Sequence, residues 1–90
     1  MFVVEYHMER FSNKLGHKYV GSLADDFVQP EEIGRKETYN DALGIAYDHL
    51  YTIFPLKDMV EVEMRRGELV GFLKDSPSIE NHYKIIPISD

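Results

Sequence analysis

The sequence predicts an α+β fold: two layers, with one α-helix packed on a mainly antiparallel sheet of about four strands, in the order β-(β)-α-β-β-β. Three observations carry this. Phe2 to Glu9 alternates in hydropathy with a period of two. Thr38 to Phe54 repeats its apolar residues at helical spacing and is stopped by Pro55. After it, "VEVEMRRGELVGFLKD" (Val60 to Asp75) and "HYKIIPIS" (His82 to Ser89) read as a hairpin and a further strand.

In the first strand Phe2, Val4, Tyr6 and Met8 form one face, and Val3, Glu5, His7 and Glu9 the other. "SNKLG" (Ser12 to Gly16) has the composition of a turn. "HKYVGSL" (His17 to Leu23) has the character of a second short strand, weakened by Gly21. Asp25 to Glu37 reads as irregular, because Pro30 and Gly34 interrupt a charged run. The helix takes Thr38 as its N-cap, with Asp41 in a relation like that of a capping box. Its apolar stripe runs through Leu43, Ala46, Leu50 and Phe54, flanked by Tyr39, Ala42, Ile45, Tyr47 and Ile53. Gly44 is either the place where helix and sheet approach closely or a neutral position costing about 1 kcal/mol against alanine.

A two-residue turn at Arg66-Gly67 sets the hairpin register. Met64 then faces Leu69, Val62 faces Gly71 and Val60 faces Leu73, which gives one apolar face. On the other face Arg65 meets Glu68, Glu63 meets Val70 and Glu61 meets Phe72. That second face is polar on the first hairpin strand but apolar on the second, so something must cover Val70 and Phe72. "DSPS" (Asp75 to Ser78) is a turn, and Pro87 belongs near a strand end because it donates no ladder hydrogen bond.

A chain of 90 residues corresponds to one domain, residues 1–90. Hydrophobic content of 43% and charged content of 29% suit a folded protein. The absence of cysteine favours a reducing compartment, and the cytoplasm is the expected location. No apolar run approaches the roughly 20 residues of a membrane span, and "MFVVEYHMERF" is too charged for a signal peptide. The 16 acidic residues against 10 basic ones give a formal net charge of −6. That balance disfavours direct binding to nucleic acid or to an anionic membrane, and suits a partner with a basic surface.

No catalytic motif stands out. The serines lie in no nucleophile elbow, and the glycines follow no phosphate-binding spacing. The histidines at 7, 17, 49 and 82 include no helical i, i+4 pair. His7 and His82 would meet if the first and last strands paired, and Glu5 or Glu9 would then complete a metal triad. Histidines on strand ends usually bind nothing, so neither a metal nor a cofactor is expected. Adjacent acids such as Asp25-Asp26 and Glu31-Glu32 are ordinarily solvated charge.

The expectation is therefore a small acidic protein that acts stoichiometrically by occupying a surface on a larger macromolecule. One class with this character is the phage or mobile-element inhibitor of a nucleic-acid-binding enzyme, of which anti-CRISPR proteins are examples; the parallel is one of class alone. The alternatives are a homodimeric structural or assembly subunit and a small metal-dependent enzyme. The expected partner-binding residues are Val70 and Phe72 as apolar anchors, with Glu61, Glu63, Asp25, Asp26, Glu31 and Glu32 standing in for phosphates. Residues 15–33 are the expected cover for the rest of that face.

Overall fold

The computed structural model describes residues 1–10, 14–15, 18–19, 26–27, 30–76 and 78–88. Its elements are β1 (Phe2–Arg10), β2 (Lys14–Leu15), β3 (Lys18–Tyr19), β4 (Asp26–Phe27), β5 (Glu31–Lys36), α1 (Tyr39–Ile53), a 3-10 turn (Lys57–Met59), β6 (Val60–Arg65), β7 (Glu68–Leu73) and β8 (Ile79–Pro87). One helix packs on an antiparallel sheet ordered β5-β1-β8-β7-β6, with the short β4 continuing the β5 edge. The sheet is thus five strands wide rather than about four. The fifth strand is β5, inside the stretch that reads as irregular. It is a charged edge strand with a bulge: Val4 pairs with Gly34 and Glu5 with Glu32, leaving Ile33 as the extra residue. Lys14 and Leu15, expected in a turn, instead pair with β3. The rest of the expected 17–23 strand lies outside the described residues.

The helix forms where its pattern predicts. Thr38 is extended, and its Oγ1 accepts a hydrogen bond from the Asp41 backbone N–H at 3.2 Å. At the other end the Phe54 N–H donates to the Leu50 carbonyl at 2.9 Å, and Pro55 prevents a further turn. The buried line is Ala42, Ala46 and Leu50, while Leu43 is a half-buried flank. Two small residues on that line bring the helix axis close to the sheet. The sheet answers with glycines: a Cβ on Gly71 would lie 2.5 Å from Leu50 Cδ2, and one on Gly34 would lie 2.7 Å from Ile45 Cδ1. Gly44 has no such role, for it is exposed and a Cβ there meets nothing within 4 Å.

The β6–β7 register agrees with the expected one at all positions from Val60↔Leu73 to Arg65↔Glu68. Arg66 and Gly67 both take positive φ, 52° and 80°, as a type I′ turn requires. The helix-facing core is built from Val4, Ala42, Ala46, Leu50, Val60, Leu69 and Tyr83. Among the described residues no helix is long and apolar enough to cross a membrane.

These contacts give opposite expectations for alanine at three positions. Leu50→Ala should cost about 2–5 kcal/mol, because the side chain is fully buried. Gly71→Ala should cost about 1–3 kcal/mol through overpacking, and the two changes together should cost less than their sum. Gly44→Ala should stabilise by about 0.4–1 kcal/mol. Urea unfolding of the four variants and the parent checks all of this.

Candidate functional site

On the sheet face away from the helix, two strands each contribute one histidine and one glutamate. His7 and Glu9 are two apart on β1; Glu80 and His82 are two apart on β8. A period of two keeps each pair on one face. The β1–β8 register sets His7 opposite His82 and Glu9 opposite Glu80, which makes a square of four polar side chains. The two imidazoles stack, with centroids 4.6 Å apart and planes inclined by 18°. Glu9 Oε2 lies 2.8 Å from His7 Nε2 and 3.1 Å from His82 Nε2. His82 Nε2 also lies 3.0 Å from Glu80 Oε1.

Glu80 has no exposed side-chain surface, so its charge needs a partner. Arg65 supplies it: Nη1 donates to both Glu80 oxygens, at 3.0 and 2.8 Å. The guanidinium reaches Glu80 from two strands away, passing over the Phe72 ring with Cζ 5.8 Å from the centroid, and it also binds Glu63. Arg65 stands opposite Glu68 in the strand register, and its guanidinium reaches Glu63 and Glu80.

A second polar group sits under the helix. The Tyr6 hydroxyl donates to Asn81 Oδ1 at 2.7 Å, and His49 Nδ1 is 2.8 Å from the Tyr83 hydroxyl. The Tyr6 ring packs on both His49 and Tyr83. Burial raises the pKa of Tyr83, with Tyr6 adding to the effect, and burial likewise raises that of Tyr6. Burial lowers the pKa of His49, and the nearby Glu31 opposes this. The pair is satisfied when a neutral Tyr83 donates to Nδ1 of a neutral His49.

The third feature is apolar. Pro55 ends the helix, the chain turns through Lys57–Met59, and it returns as β6. Between helix end and sheet lies a groove of about 290 Å³ lined by Phe54, Pro55, Leu56, Met59 and Leu73, with Asp75 and Ser76 at its mouth. Leu56 is 71% exposed, and Ile53 and Met59 are also exposed. Lys57 leans back over the Tyr51 ring, 5.0 Å from its centroid.

The expected anchors are not at the surface. Val70 is 0% and Phe72 1% exposed in the single chain. The reason is position: β7 lies between β6 and β8, and its near-continuous apolar run marks a strand covered on both faces. Arg65 provides part of that cover over Phe72. The expected cover by residues 15–33 falls mostly outside the described residues. Glu61 and Glu63 lie on the β6 edge, whereas Glu31 and Glu32 lie on the opposite β5 edge, so these acids form no single patch. Glu32 is occupied by Arg35, at 2.8 and 2.9 Å, which lowers its pKa. Asp25 lies outside the described residues, and Asp26 is described only as backbone in β4. His7, Glu9 and His82 do meet, as the conditional reading required. Glu80 went unnoticed, and the sequence pattern sets Arg65 on this face with Glu68 as its partner rather than Glu80; the signal was the continuation of the His82 alternation back to Glu80.

Comparison with family models, with curated proteins and with solved structures finds no match.

Two outcomes are expected from these clusters. Arg65→Ala removes the guanidinium that neutralises the buried Glu80 carboxylate and should destabilise by about 3–5 kcal/mol in urea unfolding. His49 titrates lower in the folded chain than in the unfolded one, so its contribution to stability is complete above the ordinary histidine pKa of about 6.5 and declines as pH falls below it. His49→Gln should flatten part of the stability loss between about pH 7.5 and about pH 5.5, measured by urea unfolding at each pH.

Proposed function

We propose that the protein binds another protein stoichiometrically, through the apolar groove at the C-terminal end of the helix. The observation that supports this reading is Leu56, a large apolar side chain left 71% exposed at the edge of a preformed groove. An exposed leucine alone is common, but here the exposed Met59 lines the same concavity as Leu56. Asp75 lines the groove, and the charges beside it alternate in sign: Lys57 and Asp58 in the adjoining turn, Lys74 next to Asp75. It is therefore the chain's net charge of −6 that suits a partner offering an apolar knob on a basic surface. Nucleic-acid-binding enzymes carry such surfaces, and an inhibitor that covers one needs neither a membrane nor contact with nucleic acid itself. Turnover is not part of this reading. Among the described residues the groove's only charged lining residue is Asp75, which is exposed, whereas general acid–base work calls for a desolvated, positioned carboxyl. The proposed apolar anchor shifts accordingly, from Phe72 among its acidic neighbours to Leu56 at the groove.

Leu56→Asp should leave the circular dichroism spectrum and melting temperature at parental values and abolish capture of the partner from cells of the source organism. Met64→Asp, a change at another exposed apolar residue, on β6 beyond the groove lining, should leave capture intact. Retention of the partner by Leu56→Asp would place the binding surface elsewhere. Light scattering of the purified chain separates a heterologous partner from a second copy, since a dimer mass lost in Leu56→Asp would make the occupant another copy.

A further inference from the structure

We infer that His7, Glu9 and His82 form a binding site for a divalent transition-metal ion, with zinc the best match to the donor set. The site is separate from the groove and independent of the reading built on it. Two imidazole nitrogens and one carboxylate oxygen are the mixed donors that zinc and its neighbours in the first transition row accept. Calcium and magnesium are poor matches, because they require mainly oxygen ligands in larger number.

The geometry is close to what such an ion needs. All three donor atoms lie within 4.8 Å of one another. Tetrahedral zinc with bonds near 2.0–2.1 Å separates its ligands by roughly 3.3 Å. The observed 2.8 and 3.1 Å from Glu9 Oε2 to the two Nε2 atoms must open by only tenths of an ångström, and the stacked rings must tilt toward each other. Register rather than a loop holds the donors: both histidines come from the paired strands at the centre of the sheet. Glu80, anchored by Arg65, stands 3.0 Å from His82 Nε2 and is the nearest candidate for a fourth donor, an oxygen. Side-chain exposures of 14% for His7 and 22% for Glu9 give an ion a way in without unfolding.

In the metal-free state each Nε2–H donates to a carboxylate. Metal binding at Nε2 displaces that hydrogen, and the proton of a neutral imidazole must then sit on Nδ1. For His82, Nδ1 is buried with no hydrogen-bond partner among the described residues. Tight zinc sites give this second nitrogen an acceptor, and losing one typically costs ~10–100-fold in affinity. The expected affinity is therefore micromolar rather than nanomolar, as in an exchangeable site.

The test uses the full chain freed of metal with a chelator and dialysed. Calorimetric titration with zinc chloride should give one ion per chain, and zinc should raise the melting temperature while magnesium does not. Cobalt chloride should produce the visible absorption of a low-coordinate nitrogen and oxygen site. His7→Ala and Glu9→Gln should each weaken zinc binding at least ~tenfold. Glu9→Gln keeps the size and the hydrogen-bonding oxygen, so it reports on metal binding even if His7→Ala is poorly folded. Absence of both binding heat and thermal shift with zinc in excess would overturn the inference. So would zinc binding of unchanged affinity in folded Glu9→Gln and His7→Ala.

Discussion

Phe2 pairs with Pro87, Arg10 pairs with Ile79, and every residue between them on β1 is matched in turn on β8. This ladder joins stretches of chain that are far apart in sequence, so its closure has to be offset by what it brings together. On the helix side it gathers Val4, Tyr6, Tyr83 and Ile85 under α1. On the far side it gathers His7, Glu9, Glu80 and His82. A slip of one residue would exchange the two sets, placing a buried carboxylate beneath an apolar helix and the tyrosines where Arg65 now reaches. Both faces therefore specify the same register.

The two faces are closed by different means. Under the helix, closure is steric: Ala42 and Ala46 lower the helix, and Gly71 and Gly34 make room for Leu50 and Ile45. On the far face, closure over Phe72 is partly ionic, since the Arg65 guanidinium covers the ring while neutralising Glu80. An ion pair of this kind contributes little net stability compared with apolar packing, yet removing one partner is costly. Its value lies in orientation: Glu80 and Glu9 both face His82 Nε2, which fixes where that nitrogen points.

Local pattern made most of the architecture legible. Thr38, Pro55 and the apolar spacing between them bounded the helix, and Arg66-Gly67 with Arg65 opposite Glu68 set the hairpin register. What failed were features decided by tertiary context. β5 has one apolar residue, a bulge and a glycine, so alternation could not reveal it; its place is set by pairing with β1 and by Ile45 above Gly34. Phe72 read as a surface anchor because apolar residues on a second face look alike whether a partner or the chain itself covers them. The His7–Glu9–His82 cluster was legible only conditionally, because it exists solely in the β1–β8 register, and strand order is a non-local property. The groove had no sequence signature beyond Pro55 followed by Leu56.

The groove and the histidine cluster stand on different supports, which bears on who the groove's occupant is. The groove lies where the helix ends and β6 begins, and among the described residues the edge of β6 has no strand beside it. An open edge next to exposed apolar side chains invites a second copy as readily as a foreign protein. Charge tips this balance. Two chains of net charge −6 repel each other as wholes, and Glu61 and Glu63 lie on the adjoining β6 edge, while Lys57 and Lys74 balance Asp58 and Asp75 beside the groove itself. Like-charged chains oppose self-association while leaving the apolar contact available to a basic surface. In the proposed reading the overall negative charge is the selector: it discourages pairing of identical chains and favours a partner of opposite charge, with Leu56 supplying the contact that charge alone would leave non-specific.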